Sequence, residues 1–125
     1  MRPRLSGNKL KAYKNLIKKE RRILVIGDLH CPFELDGYFD YCKEMYAAWN
    51  CNQVIFIGDI IDNHAFSYHE PDPDGKSAGD ELQMAIKDVK KWYNTFPVAD
   101  VLIGNHDRMA ARKAMTGGIP KVWIK

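Results

Sequence analysis

The chain has 125 residues, enough for one modest domain with a core of its own and too few for two ordinary ones. Its six Tyr and three Trp and its lack of low-complexity tracts exclude a disordered chain, and no apolar run is long enough to cross a bilayer. Net charge +3 divides unevenly, because residues 1–22 carry nine Lys/Arg against the single Glu20, net +8, which leaves −5 for the remainder.

The basic arm over residues 1–22 is expected to form an amphipathic helix, with Leu10, Tyr13, Leu16 and Ile17 packed on the domain and the lysines in water. A second reading lays it along nucleic acid phosphates or a phosphorylated substrate. The N-terminus lacks the unbroken apolar stretch of a secretory signal. Cys31, Cys42 and Cys51 are odd in number and lack CxxC spacing, so reduced thiols and a cytoplasmic location are expected, with no membrane partner.

Ile23 to Ile26 is a continuous apolar run that breaks at Gly27-Asp28, as a strand buried on both faces does. The shape recurs at Val54 to Ile57, ending in Gly58-Asp59, and at Val101 to Ile103, ending in Gly104-Asn105. Between the first two strands, Tyr38, Phe39, Cys42, Met45, Tyr46 and Trp49 recur at helical spacing. Between the second and third, Leu82, Ala85, Ile86, Val89, Trp92 and Tyr93 do the same, with Ser77 or Asp80 as cap and Phe96-Pro97 as stop. Both aromatic stripes are expected in the core. The order strand, helix, strand, helix, strand predicts an α/β fold with parallel pairing and right-handed crossovers. Residues 63–78 form a long polar loop, Arg108 to Met115 a short helix, and Lys121 to Lys125 the start of a further strand.

Parallel strands end on one side of their sheet, so Asp28, His30, Asp59, Asp62, Asn105, His106 and Asp107 are expected to converge there. Carboxylates gathered in one place repel one another unless a cation neutralises them, and oxygen with imidazole donors suits a divalent metal with open positions. A glycine before each cluster lets the chain turn sharply off the strand. An Asp or Asn after a strand also caps helices and makes turns, and a lone His is more often structural than a ligand. His64 and His69 lie in the polar loop and are expected to be exposed, and Cys31 is expected to be a small buried hydrophobe.

Gly27-Asp28-Leu29-His30, Gly58-Asp59-Ile60-Ile61-Asp62 and Gly104-Asn105-His106-Asp107 together resemble the GDxH, GDxxD and GNH(D/E) motifs of calcineurin-like metallophosphoesterases. The resemblance implies that residues 23–125 are the parallel-sheet N-terminal half of a β-sandwich flanked by helices, an α/β/β/α architecture incomplete as it stands. It implies two divalent ions, manganese first, with Fe, Zn, Co, Ni or Mg as alternatives. Asp28 and His30 would bind one ion, Asp59 would bridge both, and Asn105 would bind the other. His106 would donate to the phosphate or protonate the leaving oxygen, with Asp107 holding its imidazole, and Asp62 would orient a ligand from behind. The activity implied is hydrolysis of phosphomonoesters or phosphodiesters, with nucleotides and nucleic acids among the substrates.

The family completes its centre with histidines from later GH and GHxH motifs, and no histidine follows His106 here. A truncated phosphoesterase of weak or no activity alone is therefore expected, completed by a C-terminal half or a partner chain. A noncatalytic nucleic-acid-binding module that uses the basic arm is the alternative.

Overall fold

The computed structural model describes residues 7–17, 20–67, 70 and 72–123. Strand β1 (Ile23–Ile26) is built from four aliphatic residues and pairs in parallel with β2 (Gln53–Phe56), Ile23 opposite Gln53 and Ile26 opposite Phe56. The short β3 (Asp100–Val101) continues the sheet beside β2, with Ile55 opposite Asp100, so the spatial order is β1-β2-β3.

Helices α2 (Tyr38–Ala48) and α3 (Ala78–Thr95) make the two crossovers, after α1 (Gly7–Ile17) at the N-terminus. Ser77 caps α3 by accepting the Asp80 N–H at 3.2 Å through its hydroxyl, and the helix ends at Phe96 before Pro97. Helix α4 (Met109–Thr116) follows the third motif and stops at Gly117.

Consecutive right-handed crossovers that advance in one direction place their helices on the same face of the sheet. The core lies there, between Ile26, Val54 and Phe56 of the sheet, Cys42 of α2, and Ala85, Trp92 and Phe96 at α3. Trp92 is fully buried, with the Phe39 ring edge-on at 5.0 Å and Phe56 at 6.4 Å.

The other face is bare. Burial of the strands on both faces, expected from their unbroken apolar runs, is not what the fold produces: Ile26 is 0% exposed while Val25 beside it is 53% exposed. Ile57 and Leu102 are also exposed, at 48% and 54%. Both crossover helices pack on the core face, as a strand order that never reverses requires.

The helix stripes are corrected in the same way. On α3 the buried positions are Glu81, Ala85 and Trp92, while Leu82, Ile86 and Tyr93 stay partly exposed beside the β3 end of the sheet. On α2, Tyr46 and Trp49 are exposed and Cys42 is buried. The further strand expected over Lys121 to Lys125 is instead a single 3-10 turn at Lys121–Trp123, opened by Pro120, whose carbonyl accepts the Trp123 N–H. The 63–78 loop contains another 3-10 turn, His64–Phe66. Leu10 on α1 is exposed; the side chains of Tyr13, Leu16 and Ile17, and all of His69, lie outside the described residues.

One-sided burial makes a direct contrast measurable by urea unfolding. Ile26→Ala should cost about 2–5 kcal/mol, and Val25→Ala, one residue away on the bare face, less than about 1 kcal/mol. Equal losses would mean that something covers both faces.

Candidate metal centre

The segments that leave β1 and β2 keep running side by side after the strands end. The His30 N–H donates to Asp59 O at 3.0 Å, Cys31 N–H to Ile60 O at 2.9 Å, and Asp62 N–H to Cys31 O at 3.0 Å. This continued parallel pairing, closed by the Cys31 and Ile61 bridge, carries the GDxH and GDxxD residues into one place.

The turn itself is made by the polar residues. Asp28, His30 and Asp59 all adopt the left-handed conformation, with φ of 50°, 49° and 51°, whereas among the motif glycines only Gly58 does, with φ 100°. Asp, Asn and His tolerate that region better than most residues. Gly104 is needed for a different reason. A Cβ there would collide with the Asp59 carboxylate and backbone N, and a Cβ on Gly58 would meet Gly104 N at 2.6 Å. The β2 and β3 ends touch backbone to backbone.

His30, Asp59 and His106 each present a donor atom within 4.8 Å of the others. The two imidazoles meet edge to face at 4.5 Å between ring centres. His30 Nδ1 lies 2.7 Å from Asp62 Oδ1, and His106 Nδ1 lies 2.7 Å from the Asp62 carbonyl oxygen. A carbonyl only accepts, and an ionised carboxylate only accepts, so both Nδ1 atoms act as donors, and in the neutral form of either ring the lone pair then lies on Nε2. Asp62 thus fixes the His30 ring through its carboxylate, and its main chain does the same for His106.

Asp28 is 74% exposed at its side chain and places Oδ1 3.8 Å from His30 Nε2. Two donors about 2.1 Å from one ion stand at most ~4.2 Å apart, so this pair is close enough to share a cation. Asp59 Oδ1 accepts the His106 N–H at 2.9 Å, which ties the second strand end to the third. Asn105 is exposed, and its carbonyl accepts the Arg108 N–H at 3.3 Å. The donor set of imidazole nitrogens with prepared lone pairs beside carboxylates fits a divalent metal with open positions.

Asp107 does not hold the His106 imidazole. Its Oδ1 accepts the Ile60 and Ile61 N–H groups at 2.9 and 3.1 Å, and its Oδ2 accepts the Gly104 N–H at 2.8 Å. With both oxygens engaged by backbone, the carboxylate clips the β2 end to the β3 end. His64 has a 40% exposed side chain, with Nδ1 3.9 Å from Asp62 Oδ2, and is not among the three converging donors. Cys31 is fully buried, and burial pushes its thiol well above the ordinary range, which removes it as a nucleophile.

The residue missed from sequence is Glu81, the buried charged side chain of α3, which accepts the His64 and Ala65 N–H groups at 2.6 and 2.9 Å. A signal was present: Glu81 stands four residues before Ala85, on the same helical face as the core.

The clip role of Asp107 has a consequence in metal-free protein. Asp107→Asn puts an NH2 group against a backbone donor and should cost about 1–3 kcal/mol in urea unfolding under chelator. An orienter of His106 alone would leave that stability unchanged.

A model of the family described as calcineurin-like phosphoesterase matches residues 21–125, a span that takes in all three motifs. No curated protein and no solved structure matches the chain. With most of its length matched, and its motifs brought together at the strand ends, the chain belongs to the calcineurin-like phosphoesterase family.

Proposed function

We propose that this chain supplies the first strand ends of a binuclear phosphoesterase centre that hydrolyses phosphomonoesters or phosphodiesters. The observation that carries the reading is the convergence of His30, Asp59 and His106 within 4.8 Å, with both imidazoles already turned by Asp62 to present Nε2. Asp28 and His30 would hold one divalent ion, Asp59 would stand between two, and Asn105 would add a neutral oxygen donor to the second. Manganese is the first choice among metals that take mixed nitrogen and oxygen donors. Bound there, the ions would supply Lewis-acid polarisation of the phosphoryl group and a water nucleophile at neutral pH.

The chain's own residues divide the remaining work. Asp59 would offset the repulsion between the cations. His106 would stand beside the phosphate rather than on either ion and would donate to it or to the leaving oxygen, while its Nδ1–H stays on the Asp62 carbonyl. The exposed left-handed turn at Asp28 leaves the front of the centre open to an anionic substrate.

A partner of this centre would supply further donors and would also cover the bare sheet face at Val25, Ile57 and Leu102. That apolar face supports the reading because exposed aliphatic surface of this kind marks an interaction surface. The substrate is a phosphorylated molecule, and the basic stretch over residues 1–22 favours nucleotides or nucleic acid ends. No helix among the described residues is long and apolar enough to cross a membrane, and a cytoplasmic setting suits the unpaired thiols Cys31, Cys42 and Cys51.

Calorimetric titration with Mn2+ tests the centre: saturable binding by the unaltered chain should weaken at least ~10-fold in His30→Ala and in Asp59→Asn. Unchanged isotherms in both variants would overturn the proposal. Hydrolysis of bis(p-nitrophenyl) phosphate with added Mn2+ should be slow for the 125-residue chain by itself. Robust turnover that disappears in Asp59→Asn would show that no outside donors are needed.

A further inference from the structure

We infer that Glu81 is a positioning residue that fixes the tautomer and aim of both site imidazoles, acting through the turn that follows Asp62. The inference rests on the metal-centre reading for its purpose, and on hydrogen-bond geometry for its substance.

Glu81 is 5% exposed on α3, in a helical face otherwise made of Ala85 and Trp92. A carboxylate in such surroundings is unfavourable unless its oxygens are hydrogen-bonded. Both are. Oε1 accepts the His64 N–H at 2.6 Å and Oε2 accepts the Ala65 N–H at 2.9 Å. These two groups are donors at the start of the 3-10 turn His64–Phe66, where no earlier carbonyl of the turn can reach them. Glu81 therefore anchors the turn to the helix that carries the core, and it does so from outside all three motifs.

What the turn holds is the site. Asn63, in the left-handed conformation with φ 53°, leads into it, and its Nδ2 donates to the His106 carbonyl at 2.7 Å. Asp62, next to Asn63, receives both imidazole Nδ1 atoms at 2.7 Å, one on its carboxylate and one on its carbonyl. A carbonyl oxygen points where its peptide plane points. The direction of the Asp62 carbonyl, and with it the seat of His106 Nδ1–H, is set by the peptide that joins Asp62 to the anchored turn.

If the anchor is lost, the turn loses its tie to α3, and the plane can tilt within the slack left by the Asp62 N–H bond to the Cys31 carbonyl and the Asn63 bond to His106. His106 then loses the carbonyl that selects its Nδ1–H form, His30 is loosened as the Asp62 side chain shifts with its backbone, and neutral histidine in water favours the Nε2–H form instead. An Nε2 that carries a proton offers a metal no lone pair. Glu81 thus acts on metal affinity without approaching the metal.

The test uses the chain without metal, 15N-labelled, at pH 8, with the histidine tautomers read from long-range proton–nitrogen couplings, and then adds Mn2+ in a calorimetric titration. The unaltered chain should show Nδ1–H at His30 and His106. Glu81→Gln keeps the size but turns an NH2 toward a backbone donor, and should move both His30 and His106 toward the Nε2–H form and, through His30, weaken Mn2+ binding by about 10–100-fold. Glu81→Met, which fills the same volume with no acceptor, is the second variant should the first not fold. Phe96→Leu, at the far end of α3, serves as the control: it should lower the melting temperature while tautomers and Mn2+ affinity stay as they were. Unaltered tautomers in the Glu81 variants, or an equal tautomer change in Phe96→Leu, overturn the inference. Failure of the unaltered chain to bind Mn2+ would instead remove the metal-centre reading, and the tautomer comparison would still decide the role of Glu81.

Discussion

Asp62 occupies two imidazoles at once, one through its side chain and one through its main chain, and the rest of the centre is arranged around that double engagement. The two histidines come from different strand ends, His30 after β1 and His106 after β3, and the residue between them follows β2. A single residue on the middle strand end can reach both only because the segments after β1 and β2 continue their parallel pairing beyond the sheet. Backbone hydrogen bonds therefore set the side-chain geometry. The imidazoles are aimed before any ligand arrives, so binding does not have to supply the free energy of orienting them.

The same economy appears on the other side of the sheet edge. Asp107 spends its carboxylate on three backbone N–H groups of two separate loops, and Gly58 and Gly104 let those loops come into contact. A side chain at either glycine would push the β3 end away from Asp59, and the His106 N–H would lose its acceptor on that carboxylate. The motif glycines and the final Asp of the third motif thus belong to one device that holds two strand ends at contact distance. The chemistry in front of them depends on it.

Much of this was legible in the sequence, and the part that was not has a physical cause. Strand ends, crossover helices and the Ser77 cap follow from local pattern, because unbroken aliphatic runs, three-and-four spacing and a capping hydroxyl act over a few residues. The convergence of Asp28, His30, Asp59 and His106 follows from parallel order alone. Which face of each strand would be covered could not be read from Ile23 to Ile26, since an unbroken run looks the same whether one face or both are packed. The roles of Asp107 and Glu81 were hidden because their partners are backbone groups distant in sequence. A carboxylate beside a histidine invites the reading that it holds that ring, and only the fold shows Asp107 turned toward Ile60, Ile61 and Gly104 instead.

Three residues at the centre, Asp28, His30 and Asp59, sit in the left-handed region, where most side chains crowd the following carbonyl. Backbone conformation and donor chemistry select the same short list here, since the polar residues that tolerate the region are also those that offer oxygen or imidazole to a cation. A mutational scan would therefore entangle two effects at each of these positions. Glycine would relieve the crowding while deleting the donor, so the metal-free protein would gain stability at the site where its chemistry was lost. Optimising the metal-free fold for stability alone would therefore replace the donors at all three positions with glycine.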